Sequence, residues 1–258
     1  MLRSRVIPCL LVHNKGLVKT VKFKDPKYVG DPINAVKIFN EKEVDELIVL
    51  DIDTTANSNE PDYKMIENLA NESRMPLCYG GGVKTAAQAQ KIIKLGVEKV
   101  AISSEAIGNV NILAEIANII GRQSVVVVLD IKKTLFGGYE IFTHNGKKKV
   151  KNNLFEFIKE LENVGIGELV INSIDNDGVM KGYDLALIKK IRECTNVPLT
   201  VLGGAGNSDD ILNLISEYKI IGAAAGSLFV FKGVYKAVLI NYLPEQALSK
   251  IRHISKQK

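Results

Sequence analysis

Several things are absent from this chain of 258 residues. No apolar run approaches the roughly eighteen residues of a membrane span. The start, MLRSRVIPCLLV, is basic and then apolar but has no small-residue cleavage site, so it reads as the first strand of a cytoplasmic protein. The three cysteines, Cys9, Cys78 and Cys194, are an odd number with no CxxC pair. That excludes a disulfide framework and a zinc ribbon and leaves them as reduced packing residues. The histidines share no ligand spacing: His13 and His144 fall in segments expected to be mobile and polar, and His253 in a basic tail. No metal and no cofactor is therefore expected. No GxGxxG follows the first apolar run, which counts against a dinucleotide-binding open sheet.

What is present is repetition. The runs RVIPCLLV, ELIVLD, PLCYGG, KVAISS, SVVVVLD, ELVINS, PLTVLGG and IIGAAAG read as eight strands. Between them, segments such as PINAVKIFNEKEV and TAAQAQKIIKLG carry apolar residues at helical spacing and often end at glycine. Strands apolar enough to be covered on both faces, alternating with helices, imply a parallel sheet. Eight such units at this length predict an α/β fold, a closed (β/α)8 TIM barrel, with an open doubly wound sheet as the rival. At 46% hydrophobic residues the chain can bury a large core, and its net charge of +5 is spread except at GKKKVK, 146–151. That balance favours anionic small molecules over nucleic acid.

ELIVLDID from Glu46 resembles ELVINSID from Glu168, and MPLCYGGGVKT from Met75 resembles VPLTVLGGAGNS from Val197, both pairs 122 residues apart. The expectation is two related half barrels, approximately 1–122 and 123–245, in one domain over 1–258, since the junction IIGRQSVVVV contains no linker. One insertion, KKTLFGGYEIFTHNGKKKVK, carries a hairpin-turn signal at Asn145-Gly146 and follows the fifth strand. It reads either as a substrate-contacting lid or as surface decoration.

Strands three and seven end in GGGVKT (Gly81, Gly82) and GGAGNS (Gly203, Gly204), and strands four and eight in Ser103-Ser104 and Gly226-Ser227. Glycines let backbone N–H groups approach a ligand, and a serine at a helix start completes an anion site. Paired cradles predict a substrate with phosphates at opposite sides of one barrel mouth, or with a phosphate at one end and a similar group at the other. Asp130 ends strand five, where a carboxylate can do acid or base work or merely cap a helix. Asp51 ends strand two, and Asp177-Gly178 follows strand six as a further mouth carboxylate or only a turn. Lys19 lies in a flexible, basic first loop; it reads as a solvated lysine or as a group reaching over the mouth. Arg5, Glu46, Lys99 and Glu168 open strands one, two, four and six. They are either solvated or, if turned inward, a neutral ring able to gate the barrel's bottom.

As an ordered set, RVIPCLLV with GLVKTVKF, VGDP, DELIVLDI, YGGGVKT, VEKVAIS, SVVVVLD, GELVINSIDNDG, GYD, GGAG and AAGSLFVF resembles the cyclase subunit of imidazole glycerol phosphate synthase, from histidine biosynthesis, over nearly the whole chain. The resemblance implies a barrel with paired phosphate sites that works as a heterodimer with a separate glutaminase subunit. It takes ammonia from that partner to split and cyclise a bisphosphorylated ribulosyl-formimino aminoimidazole carboxamide ribotide. It also implies that Arg5, Glu46, Lys99 and Glu168 form the ammonia gate, that Asp130 and Lys19 are catalytic, and that Gly82, Ser103, Ser104, Gly178, Gly204, Gly226 and Ser227 hold phosphate. The second catalytic aspartate of the family falls on Leu11, so PCLDV stands here as PCLLV. Asn172, a further substrate-contacting position, Asn145 and Val179 stand where the family usually carries hydroxyls. This pattern resembles a divergent paralogue associated with surface-polysaccharide (lipopolysaccharide) genes, which implies ammonia supply for amidino sugars and a sugar amidotransferase as a further partner. The alternatives are a genuine lyase-type cyclase working with Asp130 alone, and a non-catalytic activator of a glutaminase.

Overall fold

The structure, a computed structural model, describes residues 3–256; Met1, Leu2, Gln257 and Lys258, which the expected domain includes, lie outside the described residues. The eight runs are strands: β1 Arg5–His13, β2 Leu47–Asp51, β3 Leu77–Gly80, β4 Lys99–Ile102, β5 Val125–Lys133, β6 Glu168–Ser173, β7 Leu199–Leu202 and β8 Gly222–Ala225. Each pairs in parallel with the next, and β8 pairs with β1, Arg5 beside Gly222 and Pro8 beside Ala225, which closes the barrel. The rival open sheet is thereby excluded. The segments related by 122 residues are β2 with β6 and β3 with β7, which face each other across the ring.

The helices are α1 Pro32–Glu41, α2 Tyr63–Glu72, α3 Ala86–Lys94, α4 Asn111–Ile120, α5 Leu154–Val164, α6 Leu185–Arg192, α7 Ser208–Tyr218 and α8 Glu245–Lys256. Local chemistry starts most of them: the side chains of Asp31, Asp62, Thr85, Asn153, Asp184 and Asn207 each accept a first-turn backbone N–H. The strand period of two then sorts the core into two parts. Val6, Val49, Val100, Val127, Leu169 and Val201 pack against the helices, while Ile7, Cys9, Ile48, Cys78, Val126 and Val170 fill the barrel.

Two segments after strands differ from expectation. The first loop is not flexible: Gly16–Val21 and Lys24–Gly30 form an antiparallel hairpin that continues the pairing of β1, with Leu11 opposite Val18. Leu17, Val18 and Val29 are buried, and a row of buried apolar side chains gives a hairpin a reason to pack that a basic loop lacks. In the long insertion, Asn145-Gly146 makes the expected turn, both residues at positive φ, between Tyr139–Thr143 and Lys148–Lys149. An additional turn over residues 134–138 folds Tyr139–Thr143 back onto β5.

The closing strand β8 is made of glycine and alanine because the barrel leaves no room for more. A methyl group on Gly222 would lie 1.8 Å from the Thr200 hydroxyl oxygen. Gly222→Ala is therefore expected to cost about 1–3 kcal/mol through overpacking, read as a lower midpoint in urea unfolding.

Candidate functional site

At the lower end of the barrel the four charged residues turn inward and meet. The Arg5 guanidinium pairs with Glu46 and, at 2.7 Å, with Glu168, and the Lys99 ammonium lies 2.8 Å from a carboxylate oxygen of each glutamate. Both glutamates are buried, so the solvated alternative fails. Burial opposes ionisation of Glu168, but Arg5 and then Lys99 outweigh it and hold its carboxyl below the ordinary value. The same balance raises Lys99 above its ordinary value: burial pulls it down, and Glu168 and Glu46 more than compensate. Thr200, which sequence reasoning missed, donates its hydroxyl to Glu168. Its only signal was being the polar residue within PLTVL. Two cations and two anions leave this floor without net charge.

Above the floor the interior is apolar. Burial pushes the Cys9 thiol up to about 12 and also raises Cys78, so both thiols stay neutral beside Ile7, Val126 and Val170. The barrel then opens into a cavity of about 460 Å³ at the C-terminal ends of the strands.

Asp130, Asn172, Lys19 and Leu11 all line this cavity. Burial raises the Asp130 carboxyl to about 7, against the Asn172 amide, which donates to it at 2.9 Å, and with help from the charge of Asp177. Lys19 is buried at 5% exposure rather than solvated, its Nζ only 2.0 Å from where a side chain on Gly226 would begin. Leu11 packs with Leu50, its neighbour on β2, as an apolar wall of the cavity. Asn145 also lines the cavity and donates to the Ile52 carbonyl at 2.9 Å, so the insertion reaches the mouth; Val179 is not among the lining residues.

The glycine pairs stand where backbone and packing admit no other residue. Gly81, Gly82, Gly203 and Gly204 all take positive φ. A Cβ would lie 2.1 Å from Thr54 at Gly82 and 2.1 Å from the Gly182 carbonyl at Gly204. Beside them, Ser103-Ser104 and Gly226-Ser227 begin the short helices Ser104–Gly108 and Ser227–Val230, and neither start has a side-chain cap. Uncapped first-turn amides are available to an anion.

The other carboxylates have structural partners. Asp177 is buried and accepts from the Thr20 hydroxyl at 2.7 Å and the Phe23 N–H at 3.2 Å, fastening the first hairpin over the mouth. Gly178 lies beneath that hairpin, where a Cβ would be 2.2 Å from the Thr20 carbonyl, so the pair is more than a turn. Asp51 accepts from the N–H groups of Asp53 and Thr54, which leaves Asp130 as the mouth carboxylate bonded by one side-chain amide alone. His13 ends β1 and pairs with Asp53 at 2.6 Å, so it is not in a mobile segment. Among the described residues no group of three or more His, Cys, Asp or Glu could hold a metal, and no helix is long and apolar enough to cross a membrane.

A carboxyl raised to about 7 binds a proton in the folded state across the range from about 4 to 7 where the unfolded chain has lost it. Stability from this group is therefore largest at low pH and declines as pH rises toward 7. Asp130→Asn removes the cost of ionising a buried carboxyl. It is expected to be more stable than the wild type at pH 8, with the difference shrinking by pH 5, in urea titrations at both values.

Residues 5–236 match the family described as Histidine biosynthesis protein. A Vibrio vulnificus protein provisionally named imidazole glycerol phosphate synthase subunit hisF3 is 62% identical over 243 residues, covering 94% of each chain. A Pseudomonas aeruginosa protein provisionally named subunit hisF2 is 52% identical, covering 94% of this chain and 96% of its own. The imidazole glycerol phosphate synthase subunit HisF of Natranaerobius thermophilus is 34% identical over 248 residues, covering 96% and 98%. With its closed barrel and glycine-lined mouth, the chain belongs to the histidine biosynthesis family, among the HisF-type cyclase subunits of imidazole glycerol phosphate synthase.

Proposed function

We propose that this chain is the ammonia-accepting subunit of a glutamine-dependent synthase, with a glutaminase docked beneath the barrel and its cyclase chemistry altered at Leu11. The observation that carries the reading is the apolar wall of Leu11 and Leu50, in a cavity that keeps Asp130, Lys19 and both glycine cradles. Ring closure needs protons taken and returned at separate places, and leucine can neither donate nor accept. General acid–base assistance contributes about 10² to 10⁴ in rate, so its loss at one wall slows cyclisation while leaving anion binding intact.

The neutral ion-paired floor and the apolar interior above it support passage of ammonia from below: an uncharged molecule crosses such a conduit at far less cost than an ammonium ion. Arg5, Glu46, Lys99 and Glu168 are the gate in this reading. Gly81, Gly82, Ser103 and Ser104 hold one phosphate and Gly203, Gly204, Gly226 and Ser227 the other, in two half barrels of common design. The relatives' printed names make each of them a subunit, which supports a heterodimer. The mouth chemistry favours a paralogue supplying ammonia for amidino sugars in surface polysaccharide, with a sugar amidotransferase downstream.

One observation supports a second reading, a genuine cyclase. A carboxyl at about 7 can both take and return a proton, so Asp130 could serve alone. Steady-state assay with ammonium chloride and the ribulosyl ribotide separates the two. The first reading expects turnover about 100-fold or more below an ordinary enzymatic rate, recovered by Leu11→Asp. Ordinary turnover by the wild type would establish the second. The chain is also expected to stimulate a co-expressed glutaminase, and failure to copurify with or stimulate one would count against ammonia transfer altogether.

A further inference from the structure

We infer that His13, held by Asp53, is a proton-transfer residue on the β1 wall of the mouth, displaced outward from the position where Leu11 carries no such group. The inference rests on the ammonia-dependent reading of this cavity, and its structural basis is separate from that reading. Residues 11 and 13 of a strand point to the same side, and both line the cavity. Two residues of strand place His13 about 7 Å nearer the rim than Leu11.

The imidazole is oriented for the task. Its Nδ1 lies 2.6 Å from Asp53 Oδ1, and Asp53 Oδ2 accepts the Asn14 N–H at 2.6 Å, which fixes the carboxylate. An ionised carboxylate only accepts, so Nδ1 carries the ring proton and Nε2 presents a lone pair. The exposed Asn14 side-chain amide donates to that lone pair at 3.1 Å, and a substrate N–H or O–H can take its place. A base oriented by a third group is the arrangement that activates nucleophiles across unrelated folds. Lys15, the nearest lysine in sequence, is engaged with Asp62 at 3.5 Å. The other titratable groups lining the cavity are Cys9, Lys19, Asp51, Lys84, Glu105, Asp130, His144, Lys147 and Asp177.

In the eight-strand ring β1 stands opposite β5, so His13 and Asp130 approach a bound acceptor from opposite walls. As the lone pair of ammonia becomes a C–N bond to the acceptor's electrophilic carbon, the nitrogen turns ammonium-like. One of its protons passes to His13 Nε2, leaving an imidazolium paired with Asp53. Asp130 in its acid form hands its proton to the atom that receives the electron pair displaced from that carbon. Return of the proton from His13 to the Asp130 carboxylate through water restores both groups.

The test uses the full chain with ammonium chloride and the ribulosyl ribotide. The wild type is expected to show slow, ammonium-dependent turnover. His13→Gln is expected to lower kcat about 100-fold and leave KM nearly unchanged. In a Leu11→Asp background, where a carboxylate serves the same wall, His13→Gln should change kcat less than about twofold. If His13→Gln does not fold, Asp53→Asn replaces it, with the same expected loss of kcat at unchanged KM. A His13→Gln or Asp53→Asn variant with wild-type kcat overturns the inference, as does a wild type without ammonium-dependent turnover on this substrate. Glutaminase stimulation is measured in parallel: if it persists while turnover is indifferent to His13, the proton-transfer role fails and ammonia transfer stands.

Discussion

The inward and outward alternation of eight closed parallel strands is the constraint on which the rest of the molecule depends. In β1 the inward series is Arg5, Ile7, Cys9, Leu11 and His13; in β6 it is Glu168, Val170 and Asn172. Floor, conduit and mouth are therefore successive layers of one pleat. Because the period is two, a one-residue slip at any strand would bury its charges against the helices and empty its share of the interior. Closure of β8 on β1 forbids such slips, and that is why the small residues Gly222 and Ala224 matter as much as the charged ones.

The layers also explain how buried charge is tolerated. Two carboxylates removed from water would cost several kcal/mol each in isolation. Here Arg5 and Lys99 contact both of them, and Thr200 donates a second hydrogen bond to the Glu168 oxygen that faces Arg5. The pairing offsets the desolvation that either ionised carboxylate would suffer alone, and the floor it makes carries zero net charge.

Much of this was legible in the sequence. Short apolar runs between helical patterns marked all eight strands, and the repeated glycine pairs marked the positive-φ turns at the mouth, because both signals are local. The burial of Lys19 was not legible: it depends on the hairpin that carries it being fastened by Asp177, more than 150 residues away. The His13–Asp53 pair was hidden for the same reason, 40 residues separating groups that β1 and β2 place side by side. Even the hairpin itself read as a loop, since its lysines masked the buried Leu17, Val18 and Val29.

The effect of Leu11 is confined because the pleat isolates it. Leu11 contributes to one layer of one strand, and its neighbours Leu10 and Val12 face the other way, into the helix layer. An apolar side chain there leaves undisturbed the ion-paired floor six residues below and the glycine and serine turns that follow β3, β4, β7 and β8. What changes is the polarity of one wall, and with it the shape of group that can sit between that wall and Asp130. Leu11 and Leu50 make that wall apolar, and toward the rim His13 is the next inward residue of the same strand.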